Sequence, residues 1–166
     1  MSLLILLPFI IQILVIMIDE FYFHVRRGLP KWERLGHPLD TLTVLACFAF
    51  ILFVPYSSFT LKIYIAMAIF SCVFVTKDEF VHKECCPASE QWLHALLFLN
   101  HPVVLTAAGL IWPITSGAEG PSWLSGLVPY VDQIHLFLVT QTAAIVLFFL
   151  YQLIYWNVIW KDKVPE

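Results

Sequence analysis

Residues 3–18 read LLILLPFIIQILVIMI and run without interruption into DEFYFH at residues 19–24. An apolar run of this length that ends on two acids and a histidine reads as a membrane span carrying expensive polar side chains at one end. No basic leader precedes it and no small-residue cleavage pattern follows, so a retained first span is expected. The same signature returns as DEFVH at residues 78–82, again at the end of an apolar segment. Each copy is followed by a Glu-x-x-x-His, Glu33 to His37 and Glu90 to His94.

The whole chain agrees with its first segment. It is 60% hydrophobic and 13% charged over 166 residues, with mean hydropathy +0.83, whereas an ordinary soluble domain is about 45–50% apolar and about 25% charged. The expectation is an all-α integral membrane protein, a single transmembrane domain over residues 1–166. Its five spans are placed near 3–24, 38–55, 59–82, 89–112 and 131–160. Pro38, Pro55 with Ser57 and Ser58, and Pro87 before Ser89 punctuate them, and a Gly/Pro/Ser-rich loop over 115–130 separates the last two. A net charge of −3 with no basic stripe excludes nucleic acid as a partner. Cys47 and Cys72 fall within spans as small hydrophobes, and the vicinal Cys85 and Cys86 lack the spacing of a redox or metal motif.

Alternating the spans gathers Arg26, Arg27, Lys31, Arg34, Lys77, Lys83, Lys161 and Lys163 on one side and leaves Lys62 on the other. The positive-inside rule then puts the motif loops and the C-terminus in the cytoplasm and the N-terminus outside. Spans one and two, and spans three and four, become two parallel-repeat hairpins. They build a four-helix bundle with the fifth helix peripheral. Trp32, Trp92, Trp156 and Trp160 on the motif side, and Trp112, Trp123 and Tyr130 on the other, read as aromatic belts.

Helical spacing selects the groups that converge. Glu20 and His24 lie one turn apart, and Glu79 and His82 form a Glu-x-x-His pair. Glu90, His94 and His101 form a stripe on the fourth span at the 3.6-residue period. Glu33, His37 and Asp40 make a similar stripe, although Gly36 and Pro38 allow Glu33 to fall in the loop instead. The acids outnumber the nearby cations, and two divalent metal ions would balance four glutamates while imidazoles complete their coordination. The expected metal ligands are therefore Glu20, His24, Glu33, His37, Glu79, His82, Glu90, His94 and His101. Asp19, Asp40 and Asp78 are expected to accept hydrogen bonds from the ligand histidines.

This inventory resembles the ferritin-like di-iron proteins, in which a bundle supplies two lone glutamates and two Glu-x-x-His pairs, though only Glu79 to His82 has that spacing here. It is also similar to membrane desaturases and hydroxylases in placing histidines at the cytoplasmic ends of spans, without their His-x-x-His-His boxes. The resemblances imply an iron oxidoreductase acting on a lipid or quinone with an external electron donor. Mixed carboxylate and imidazole donors also admit manganese or zinc, and zinc would mean hydrolysis by an activated water. The competing readings are a metal-ion or proton transporter, a haem carrier, and a non-catalytic membrane subunit. In the blandest of these the acids pair with Arg26, Arg27, Lys77 or Lys83.

Overall fold

The computed structural model describes residues 2–78 and 86–160, and within them the chain is helical with no strand. Five helices are long and apolar enough to cross a membrane. They are α1 (Leu4–Arg27), α2 (Lys31–Phe53), α3 (Ser58–Lys77), α4 (Ala88–Thr115) and α5, which we take from Val131 to Ile154. A 3-10 stretch, Ser122–Tyr130, occupies much of the expected loop before α5 and buries Leu124 and Leu127 completely. Large apolar side chains such as Phe53, Leu99, Leu136 and Leu147 face outward, while Asp19, Glu20, His24, Glu33, Glu90 and His94 are buried. Polar groups inside and apolar groups outside suit a lipid surround and suggest a multi-pass membrane protein.

Helix α2 begins at Lys31, well before the expected residue 38, so Glu33 and His37 both lie on it. Gly28 turns the chain with φ 77°, and Pro30 precedes the first helical residue with its carbonyl accepting from the Arg34 N–H at 3.1 Å. Pro38 sits inside the helix, where a proline has no N–H for the carbonyl four residues back. That carbonyl, of Arg34, accepts instead from Asn157 Nδ2 at 3.2 Å. The helix continues because another segment supplies the missing donor. At the other end Ser57 and Thr60 form a reciprocal capping box that starts α3.

Two features depart from the repeat-hairpin expectation. Helix α1 packs chiefly on α4, and α2 packs chiefly on α5 and α3. Polar cross-links show why. Asn100 of α4 donates to the Pro8 carbonyl and to Gln12 Oε1 of α1, both at 2.8 Å, and Thr41 of α2 donates to Gln152 Oε1 of α5 at 2.7 Å. Lipid tails remove most of the hydrophobic force between helices, so such bonds and close packing decide which faces meet. The fifth helix, expected at the periphery, packs chiefly on α2, and its continuation, a π-helical turn over Tyr155–Ile159, reaches the polar end of the bundle.

The opposite end is closed by aromatic packing. Trp112 is fully buried among Phe50, Tyr56 and Tyr64, and its Nε1 donates to the Val54 carbonyl at 3.1 Å. Tyr64 donates to the Leu105 carbonyl at 2.6 Å, and Gly109 leaves room for its ring. Polar chemistry is thereby concentrated at the end where α1 finishes and α2 and α4 begin.

Candidate metal centre

The last part of α1, Asp19–His24, is a π-helical turn. In an α-helix, residues five apart diverge by about 140°, whereas the wider π turn, with its i→i+5 bonds, brings them to one side. Asp19 and Glu20 consequently both face His24. His24 Nδ1 lies 3.2 Å from Glu20 Oε2, and His24 Nε2 lies 3.3 Å from Asp19 Oδ2.

Glu20 is held by the fifth helix. Its Oε1 accepts from Trp156 Nε1 at 2.6 Å and from the Tyr151 hydroxyl at 3.1 Å. An ionised carboxylate only accepts, so the proton between Glu20 and His24 belongs to Nδ1. The other ring nitrogen, Nε2, faces Asp19 Oδ2 and, at 3.5 Å, Glu90 Oε1. Among the described residues this buried nitrogen makes no hydrogen bond.

Those separations match a metal's demands. Donors at about 2.0–2.1 Å from a tetrahedral ion are about 3.3–3.4 Å from one another. Asp19, His24, Glu90 and His94 each offer one ligand atom within 4.8 Å of all the others, and all four residues are buried. His24, Glu33 and His37 form a second such group. This cluster could hold a metal ion. His94 Nε2 donates to Asp19 Oδ1 at 2.8 Å, so ligation through that nitrogen requires its proton to leave, and metal uptake would release protons.

Helix starts and one guanidinium stabilise the acids. Glu33 and Glu90 occupy the first turns of α2 and α4, where the helix dipole favours a negative charge. Arg27 Nη2 donates to Glu33 Oε2 and to Glu90 Oε1, both at 2.8 Å, and Arg27 Nε donates to Glu90 Oε1 at 3.0 Å. Both carboxylates are 0% exposed. Arg27 thus joins Glu33 to Glu90, while Asp19 and Glu20 accept from His94 and Trp156.

The expected ligands divide accordingly. The structure brings together Glu20, His24, Glu33, His37, Glu90 and His94, with the His37 ring tilted by 39° against His24 at 4.8 Å between ring centroids. Glu20 lies against His24 Nδ1, outside the two groups whose ligand atoms converge, and Asp19, expected to accept from histidine, accepts from His94 and also offers an oxygen to the first group. Asp40 binds Lys77 Nζ through both oxygens at 2.7 Å. His101 lies two helical turns deeper, with Nε2 3.0 Å from Ser71 Oγ, outside both ligand groups. Glu79 and His82 lie outside the described residues, as does the side chain of Asp78.

Two contributors escaped the sequence reading. Trp156 was expected in an aromatic belt and Tyr151 carried no expectation, because their partner Glu20 is more than a hundred residues away in the chain. Arg27 was expected to pair with acids in the ion-pair reading, and its partners are Glu33 and Glu90. A cavity of 120 Å³ adjoins the cluster, bordered by Asp19, His24, His37 and His94 on one side and by Ile16, Leu97, Phe98 and Phe148 on the other. Cys86, outside the spans, is buried, and burial pushes its thiol up to about 12. No family model, curated protein or solved structure matches this chain, so the site is read from its own geometry.

Proposed function

We propose that this protein is an integral membrane metalloenzyme. Its Asp19, His24, Glu90 and His94 bind a divalent transition-metal ion, iron by preference, at the cytoplasmic face, and the centre oxidises or hydroxylates a lipid or quinone. The observation carrying this reading is His24. Its Nδ1 is engaged by Glu20 while its Nε2 points without a hydrogen bond at two carboxylate oxygens, 3.3 and 3.5 Å away. A ring nitrogen aimed at two anions in a buried site needs a proton or a metal cation between them, and a divalent ion offsets more of the surrounding negative charge.

Two imidazoles and a carboxylate are the donor set of non-haem iron centres that work with dioxygen, and manganese or zinc can use the same donors. Bound iron would supply the redox chemistry. Glu20 fixes the tautomer and orientation of His24, as an outer carboxylate does for a ligating imidazole. Arg27 offsets part of the negative charge, and the cavity walls of Ile16, Leu97, Phe98 and Phe148 suit an apolar reactant. A second ion at His24, Glu33 and His37 would make the centre dinuclear. Arg27 bonds a carboxylate of each position, Glu90 of the first and Glu33 of the second.

The test is elemental analysis of gently purified protein before and after reconstitution with iron, manganese or zinc, beside His24→Ala, Asp19→Asn and Glu90→Gln. About one equivalent of metal, lost in His24→Ala, is expected; less than about a tenth of an equivalent under every condition would sink the reading. A metal or proton carrier is the second reading, favoured by buried polar pairs deeper in the bundle, Gln12 with Asn100 and Ser71 with His101. Metal-dependent uptake into proteoliposomes, without turnover of any lipid or quinone, would decide for it.

A further inference from the structure

Tryptophans at the ends of membrane helices ordinarily direct their N–H toward the headgroups. Trp156 does the opposite. It is 0% exposed and points its Nε1 inward, 2.6 Å from Glu20 Oε1. Glu20 Oε2 in turn lies 3.2 Å from His24 Nδ1, so one carboxylate joins the indole to the imidazole whose other nitrogen faces the ligand oxygens. Trp156 is also in ring contact with Trp160 at 4.9 Å and with Tyr155 at 5.0 Å between centroids. Trp160 is only partly buried and lies over Gly28, at the turn after α1. An unbroken sequence of contacts therefore runs from the cluster to the surface at its own end of the bundle.

A buried tryptophan of this kind is suited to carry a positive charge for a short time. The adjacent carboxylate stabilises a charge on the indole, and does so more strongly in a low-dielectric interior than in water. A merely structural role would require the ring to fill space and its N–H to find any acceptor. The choice of the one carboxylate that also holds a ligand imidazole is what structural packing leaves unexplained.

We propose that Trp156 is a redox relay between the metal centre and the membrane surface, an inference that rests on the metal-centre reading above. After dioxygen or peroxide has oxidised the centre, Trp156 gives it one electron from the indole ring and is left as a radical cation with Nε1–H still bonded to Glu20. Trp160 returns one electron to Trp156, and a one-electron reductant at the membrane surface restores Trp160. The oxidised centre is reduced by one electron and the external donor is oxidised by one. No bond is made or broken in the transfer, and no proton moves.

Iron-loaded protein in detergent, with its iron content measured first, is mixed with hydrogen peroxide, frozen, and examined by electron paramagnetic resonance. The expected result is an organic radical whose signal narrows when the tryptophans are ring-deuterated. It should be lost in Trp156→Phe, turn into a tyrosyl signal in Trp156→Tyr, and be unchanged in Trp123→Phe. Trp160→Phe should lengthen its lifetime in the presence of a reductant. Iron bound at full stoichiometry without a tryptophan radical, or a radical that survives Trp156→Phe, overturns the relay alone. Absence of iron binding overturns both the relay and the metal centre. Should Trp156→Phe fail to fold, the deuteration result in the unaltered protein and the Trp160→Phe lifetime still decide: no narrowing and no change in lifetime overturn the relay.

Discussion

Replacing Arg27 by methionine should separate an ion-pair network from a metal site, because the two give opposite signs for metal affinity. The guanidinium makes hydrogen bonds of 2.8 Å to Glu33 and of 2.8 and 3.0 Å to Glu90, and both carboxylates are buried. Methionine keeps the apolar stem and removes the charge, leaving two buried carboxylates without it. Breaking a buried ion pair from one side costs about 3–5 kcal/mol. For a chain of this length that corresponds to a fall of about 6–20 °C in Tm.

The same oxygen that accepts from Arg27, Glu90 Oε1, also faces His24 Nε2. A unit positive charge within about 5 Å of a divalent ion opposes its binding by several kcal/mol even at an effective dielectric of about 20. Arg27→Met should therefore bind iron or zinc at least about tenfold more tightly, a gain of about 1.4 kcal/mol or more, and recover much of its lost Tm when metal is added. Thermal unfolding in detergent with and without metal, followed by competition with a chelator of known affinity, measures both. A variant with unchanged Tm, or one with weaker metal binding and no recovery, would refute the reasoning.

Three further outcomes follow from single contacts. His101→Gln should leave metal stoichiometry unchanged, since His101 bonds Ser71 and lies outside the ligand groups; loss of metal in elemental analysis would restore it as a ligand. Gly109→Ala would place a Cβ 2.8 Å from Tyr64 Cε1, and displacing that ring from its bond to the Leu105 carbonyl should cost about 1–3 kcal/mol, read as a lower Tm. Burial raises the Cys86 thiol to about 12, with Arg27 opposing and Glu90 adding. Only the thiolate is nucleophilic, so in a Cys85→Ser background N-ethylmaleimide at about pH 8 should spare Cys86 in the folded protein and label it after denaturation. Equal labelling in both states would contradict its burial.

Much of the centre was legible because the chemistry of a membrane is restrictive. A carboxylate or imidazole beside a long apolar run must find a partner, so Glu20, His24, Glu33, His37, Glu90 and His94 stood out before any folding was considered. The roles within that set were less legible. The 3.6-residue period pairs Glu20 with His24 and turns Asp19 away, whereas the π turn over Asp19–His24 faces both acids toward the imidazole. Pro38 marked a helix start by local rules, yet Asn157 supplies a donor for the Arg34 carbonyl and the helix runs through. Local rules missed both because the deciding interaction is either a change in helix pitch or a donor more than a hundred residues away.

The sequence by itself determined the number of long apolar helices, their inverted polarity and the collection of acids and histidines near their ends, since these depend on composition and spacing along one segment. Only the tertiary structure decided that α1 meets α4 and α2 meets α5, that Arg27 joins Glu33 to Glu90, and that Trp156 reaches Glu20. Such choices rest on hydrogen bonds between residues as many as 136 positions apart. In a lipid surround the bundle takes the pairing that leaves the fewest buried polar groups unmatched, and no single helix carries that information.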